Sequence, residues 1–276
     1  MKRSETYYYG QGRVMLGVRT PGQAVNMRWV GDVDQLDISF NSESHKGRQS
    51  VNGVTGTATK YFTHHDCAVS ANFYEYSAEN LGLALFGQSL NQAAHAEQQS
   101  IGTGVIARGC YPLAHQNVWG VFIHGLTEGV DFIVDSLWGV IEFLKTPRVQ
   151  PVTVRYKHAG NVNIPILTTR PVEVMLRYEG INLAENMRPV LVELYRVQFN
   201  PAETLGIITD GNALGSFELK GDVLPDPTRS VTDVMGQYGR FVIPGNIDLS
   251  GASDLRVMTT SGIAGGAITT LYPDRK

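Results

Sequence analysis

Several stretches of the chain alternate apolar and polar residues with a period of two, the pattern of a strand with one buried face. Leu36, Ile38 and Phe40 interleave with Asp37 and Ser39, and Val152, Val154 and Tyr156 with Thr153 and Arg155. Val172, Val174, Leu176 and Tyr178 interleave in the same way with Glu173, Met175 and Arg177. VLVELYRVQF at 190–199 is apolar on both faces, which predicts a central strand covered on each side. EGVDFIVDSLWGVIEFL at 128–144 predicts a hairpin, with strands around Phe132–Val134 and Val140–Phe143 and a turn ending at Gly139.

One segment has helical spacing. In SAENLGLALFGQ, Ser77 is placed to cap a helix, Glu79 lies in the first turn where the helix dipole favours an acid, and Leu81, Ala84 and Leu85 fall on one face. Gly87 is placed to end it, and Leu81, Leu85 and Phe86 are expected to pack against the core or a neighbouring subunit. A single short helix among many strands predicts a mainly β fold, a β-sandwich or barrel with one flanking helix. The best boundary is Asp226-Pro227, which gives a sandwich domain over 1–225 and a C-terminal extension or additional strands over 226–276.

His64-His65-Asp66-Cys67 groups four side chains of the types that bind zinc or form a nucleophile and base pair. Its flanks, TKYFT and AVSANFYEY, are β-branched and aromatic, so the segment reads as a strand in which neighbours face opposite ways. Four ligands cannot converge from that backbone. Cys67 then belongs to the buried face with Val69 and Ala71, while His64 and Asp66 form a polar outer pair. The remaining histidines are scattered, and the chain has no P-loop, GxSxG, HExxH or GxGxxG. No catalytic, cofactor or metal assignment follows, and the protein is not expected to be an enzyme.

Composition narrows the class. In 276 residues, 42% are hydrophobic and 18% charged, which describes a globular chain, and 30 glycines suit many turns. Two cysteines, Cys67 and Cys110, rule out a disulfide framework, and both are expected to be buried. No apolar run reaches the length of a membrane span, and MKRSETYYYGQG lacks the apolar core of a secretory signal, so synthesis in a reducing cytoplasm is expected. A net charge of −3 argues against a protein that grips nucleic acid through its phosphates. NSESHKGRQSVNGVTG at 41–56 reads either as a solvated hairpin loop or as an interaction arm, since long loops in compact domains often have a task.

In order along the chain, GRVMLGVRTPG, the strand pair around ESHKGRQS, NFYEYSAENLGLALFG, EGVDFIVDSLWGVIEF, VEVMLRYEGIN and VLVELYRVQFNP resemble the major tail tube proteins of long-tailed bacteriophages, in particular those of Chi-like, flagellum-using phages. The resemblance covers about residues 10–225. It implies a subunit of two packed sheets and a flanking helix, six copies of which form a ring. Rings stack into a hollow tube in the virion tail, assembled in the host bacterial cytoplasm. The implied partners are further copies of the chain, the tape measure protein, the tail terminator and tail tip proteins, and double-stranded DNA passing through without tight binding. No membrane and no cofactor are implied. Glu43, Ser44, His45, Lys46, Gly47, Arg48 and Gln49 are then expected to bridge rings, and some of Asp32, Asp34, Asp37, Asp131, Asp135 and Glu142 to line an acidic bore. The alternatives are a secretion-system tube protein or a β-rich hydrolase using the scattered histidines.

Overall fold

The computed structural model describes residues 7–51, 54–209, 211, 213–230, 232, 234–245, 255–259 and 269–273. Strands hold 50% of the residues and helix 4%, so the chain is mainly β, sandwich-like and without a closed barrel among the described residues. The chain begins with β1 (Gly10–Val18), β2 (Arg28–Trp29), β3 (Val33–Val51) and β4 (Val54–Phe73), followed by α1 (Ala78–Ala84). Next come β5 (Leu90–Gln92), β6 (His95–Ile101), β7 (Cys110–Pro112), β8 (Val118–Ile123), β9 (Phe132–Asp135), β10 (Val140–Phe143), β11 (Val152–His158) and β12 (Asn161–Asn163). The last part holds β13 (Glu173–Asn182), β14 (Arg188–Phe199), β15 (Phe217–Val223), β16 (Gly239–Val242), β17 (Leu255–Thr259) and β18 (Thr269–Pro273).

The main sheet runs β2-β1-β13-β14-β15-β4-β3, all antiparallel, with β14 in the middle as its two apolar faces predict. One edge of β14 pairs with β13 along nearly its whole length. The other edge is shared: Val197–Phe199 pair with β15, and Leu191–Leu194 with β16. The sheet therefore continues past Asp226, and the predicted boundary falls inside it. Asp226 is itself buried, accepting from Arg19 Nη2 at 3.0 Å and from the Thr228 hydroxyl at 2.8 Å. Burial works to raise its carboxyl pKa, but the Thr228 and Arg19 donors outweigh this and hold it below the usual range.

The sheet curls until its two margins are bridged. Val30 N–H donates to the Val14 carbonyl of β1 at 3.1 Å, and two residues later the Asp32 carbonyl accepts from Tyr74 N–H at the end of β4 at 3.0 Å. One hydrophobic core follows inside the curl, from Val14 and Leu16 at one margin to Val69, Ala71 and Phe73 near the other. Phe217 is fully buried in it, stacked on Phe73 at 5.5 Å with Tyr76 edge-on at 5.2 Å.

The helix starts as its sequence predicts, with Ser77 Oγ accepting from Asn80 N–H. Its packing differs from expectation. Leu81, Leu85 and Phe86 are only half-buried, and the contacts to the core come from Asn80, Leu83 and Ala84. The helix also stops one residue earlier than Gly87 would set, because Phe86 takes the left-handed conformation at φ 50°. Gly87 is needed for another reason: a Cβ there would collide with the Pro165 carbonyl. Asn80 is buried, and its Nδ2 donates to the Val30 carbonyl at 2.7 Å and the Glu75 carbonyl at 3.0 Å, tying the helix to the margin bridge. Asn80→Ala leaves two carbonyls unpaired and is expected to cost about 2–4 kcal/mol, read as the shift in a denaturant midpoint. An unchanged midpoint would show that the bridge is not held by this side chain.

Residues between α1 and β13 form a second unit. Two three-stranded sheets, β7-β10-β9 and β6-β11-β8, enclose a separate core that includes Ile101, Val118, Phe132, Ile141, Phe143 and Val154. The short β5–β12 ladder forms its neck. The predicted hairpin appears as β9 and β10, turning at Gly139 with φ 65°, and β11 alternates buried and exposed along its whole length. Two hydrophobic cores, not one, thus fill the span read as a single sandwich. Other expectations also need correction: Phe40 is 79% exposed, Val172 is exposed and precedes its strand, and Cys110 is exposed while Cys67 is buried.

Candidate assembly and channel surfaces

Of the polar segment at 41–56, residues 41–51 and 54–56 are strand. β3 and β4 stay paired from Val33↔Phe73 out to Val51↔Val54, with bulges after Glu43 and Gly47. From Phe40 to Lys46 and from Thr59 to Asp66 every residue is exposed, so both faces of the ribbon are in solvent. Residues 41–51 alone span about 35 Å at 3.3 Å per residue. Of the predicted contact residues, Glu43, Ser44, His45 and Lys46 lie along this arm, and Gly47, Arg48 and Gln49 continue it toward the tip, opposite Thr59, Thr57 and Gly56. Polar residues predicted the exposure, but a strand that buries neither face carries no period-two signal.

Local contacts stiffen the arm's root. His64 Nε2 lies 2.8 Å from Asp66 Oδ1 on one face, and His65 Nδ1 lies 2.8 Å from Ser42 Oγ on the other. The alternation expected for the His-His-Asp-Cys run is therefore present, and no group of residues suited to a metal occurs among the described residues. Tyr238 donates to the His65 carbonyl at 3.3 Å, fastening the arm to the body. Beyond that point Tyr61 and Phe62 expose 59% and 58% of their surface, and at the root Phe40, opposite Cys67, exposes 79%. A two-stranded ribbon is marginal in water by itself, and bare aromatic rings on it favour a partner.

Where β3, β4 and β15 lie side by side, their register defines an outward face. Cys67, Val69, Ala71 and Phe73 point into the core with Phe217, Leu219 and Val223, so the alternate residues point out. Across the three strands these stand in rows: Gln35, Asn72 and Glu218; Asp37, Ser70 and Lys220; Ser39, Ala68 and Asp222; with Asp66 beside Asn41. The face carries small polar side chains and four carboxylates, Asp37, Asp66, Glu218 and Asp222. Its one cation, Lys220, is engaged by Glu218 at 3.1 Å and Glu203 at 3.7 Å, and that hydrogen bond to Glu218 raises the ammonium pKa. The outer edge of β3 pairs with nothing among the described residues, so this face ends in an open row of backbone donors and acceptors.

The six acids singled out in the sequence separate into three places. Asp37 stands on the outward face. Asp32 and Asp34 line a cleft of about 260 Å³ at the margin bridge, together with Gly12, Val14, Trp29, Val33 and Tyr74. Asp34 is oriented by Asn72 Nδ2 at 2.9 Å and by the Tyr74 hydroxyl at 2.8 Å, a bond that raises the Tyr74 pKa. Asp131, Asp135 and Glu142 belong to the second unit, in or beside its hairpin, and the two aspartates brace it. The Asp131 carboxyl lies below the usual range because Lys145 and then Thr127 N–H donate to it. Asp135 accepts from Trp138 N–H at 3.1 Å, and Glu142 is half-buried in the β7-β10-β9 sheet. Glu218 and Asp222, which the sequence reading passed over, were visible as the polar half of FELKGDV, but only strand register shows that they share a face with Asp37.

A family model described as "Protein of unknown function UCP028589" matches residues 7–242. The chain belongs to this family. The UCP028589 span starts at Tyr7, whose carbonyl accepts from Asn182 Nδ2 at 2.7 Å, and ends at Val242, the last residue of β16. It thus contains the whole main sheet and the inserted sandwich, with β17 and β18 outside it. No curated protein matches the chain.

Proposed function

We propose that this chain is the subunit of a phage tail tube, six copies closing a ring and rings stacking into a channel that conducts double-stranded DNA from capsid to host. The β3–β4 ribbon carries the reading: an arm of about 35 Å, exposed on both faces from Phe40 to Lys46 and from Thr59 to Asp66, has no core to cover within its own subunit. The free β3 edge supplies the second requirement, because pairing it with a neighbour's sheet continues the sheet from subunit to subunit and removes the exposed edge. The outward face of β3, β4 and β15 is the natural wall of the bore. Repeated six times, Asp37, Asp66, Glu218 and Asp222 make a ring of negative potential that keeps phosphates from binding, and the small side chains around them leave little to catch a sliding duplex. The tape measure protein fills the bore before ejection, and the terminator and tip proteins cap the ends.

Negative-stain microscopy of the purified chain tests this. Tubes of stacked rings with a central channel are expected, with no retention of free duplex DNA at physiological salt. A chain that remains monomeric at every concentration, or that retains duplex DNA tightly, overturns the reading.

A further inference from the structure

The arm carries a pairing that a strand avoids. Lys46 and Lys60 stand directly opposite each other across β3 and β4, an arrangement that destabilises a ladder through like-charge repulsion. Both are exposed, and neither forms an ion pair with a carboxylate among the described residues. The Lys60 ammonium sits 4.7 Å from the centre of the Phe62 ring. Two cations held together on a projecting ribbon form a grip for an anion that the subunit does not itself supply.

The complementary surface lies at the other end of the same strand. The cleft beneath the margin bridge places Asp32 and Asp34 beside Trp29, which is 51% exposed, with Val14, Val33 and Tyr74 completing the walls. Neither carboxylate has a cationic partner among the described residues, and Asp34 is already fixed by Asn72 and Tyr74. An indole face with two carboxylates suits an ammonium group, by ion pairing and by cation–π attraction. Lys46 and Asp34 belong to one continuous strand, twelve residues apart, which at 3.3 Å per residue is about 40 Å. A subunit's own lysines therefore cannot reach its own cleft.

We propose that the Lys46–Lys60 pair of one copy seats in the Trp29–Asp32–Asp34 cleft of a second copy of this chain. The assignment rests on the tube reading and names the contact by which one ring holds the next. Because donor and acceptor are different surfaces at opposite ends of one strand, the contact is head-to-tail and does not close on itself. Its length bounds the repeat: successive copies are displaced by at most about 40 Å, the strand distance between the two surfaces.

Charge exchange in the full-length chain tests the contact. K46E/K60E and D32K/D34K are each expected to raise the concentration needed for polymerisation by about tenfold or more, and the chain carrying all four changes to return it to within about threefold of wild type. Should either charge-reversed chain unfold, the neutral pairs K46Q/K60Q and D32N/D34N replace it, with the same direction expected and a melting curve to confirm folding. Tubes with an axial repeat no longer than about 40 Å support the contact, and a longer repeat overturns it. Polymerisation of K46E/K60E at wild-type concentrations, or failure of the fourfold exchange to rescue, overturns it while leaving the tube reading intact. A wild-type chain that never polymerises overturns both.

Discussion

A chain in which residues 45–61 are replaced by Asn-Gly is expected to fold with wild-type stability and to form no tubes. Ser44 and Phe62 are a cross-strand pair, so a two-residue type I′ turn can join them without disturbing the register of the ribbon below. The excised residues that are described are exposed, and none belongs to either hydrophobic core, so little buried surface is lost. The proposed contribution of the arm to assembly is expected to be lost completely. Size-exclusion chromatography with microscopy gives the decisive readout. Long tubes from the truncated chain would mean that the ribbon is not what links rings, and a melting temperature lowered by more than about 5 °C would mean that the arm supports its own subunit.

Phe217→Ala is expected to have the largest effect on stability, about 3–5 kcal/mol, a substantial fraction of the 5–15 kcal/mol typical of folded proteins. The ring is fully buried between Phe73 and Tyr76, and the aromatic contacts add to the loss from the cavity. Its strand has a special position, because only three residue pairs join β15 to β14 and so connect the two halves of the main sheet. For a chain of this size the melting temperature should fall by roughly 10 °C. A fall of only a degree or two would show that the neighbouring core collapses into the space. By contrast, Leu85, the helix residue that periodicity favoured as a core position, is half-buried and offers much less to remove.

What was legible in the sequence was local. Ser77 caps a helix through a hydroxyl three residues from the amide that it accepts from, and the β9–β10 hairpin is fixed by a few residues ending at Gly139. β11 shows its alternation because one face is buried and the other wet. The arm was not legible as strand, since from Phe40 to Lys46 and from Thr59 to Asp66 it buries neither side. The acidic face was not legible as a face, since Asp37 and Glu218 are far apart in sequence and meet only through the register of three strands. Glu193 shows a further limit. A carboxylate in the middle of VLVELYRVQF reads as a flaw in a central strand, yet it is buried between Arg177 Nη1 of β13 at 2.5 Å and Arg240 Nε of β16 at 2.6 Å. Its second partner lies beyond the boundary that the sequence placed at Asp226. The two cores were read as one because both draw on the same Val, Ile, Leu and Phe, and composition carries no record of which strands meet.

The pairing of β1 with β13 also sets the timing of subunit maturation on the ribosome. Arg13 and its partner Glu179 are 166 residues apart in the chain, so at about 5–20 residues per second β1 waits on the order of ten to thirty seconds for its place in the sheet. The β3–β4 arm is a hairpin and is synthesised whole well before that. The cleft is not, because Gly12 and Val14 of β1 form one of its walls and are not fixed until β13 has emerged. A nascent chain thus presents its arm long before it can receive another. Under the proposed contact, neighbouring ribosomes on one messenger each expose the projecting half without the receiving half, which postpones polymer growth until nearly finished chains are released.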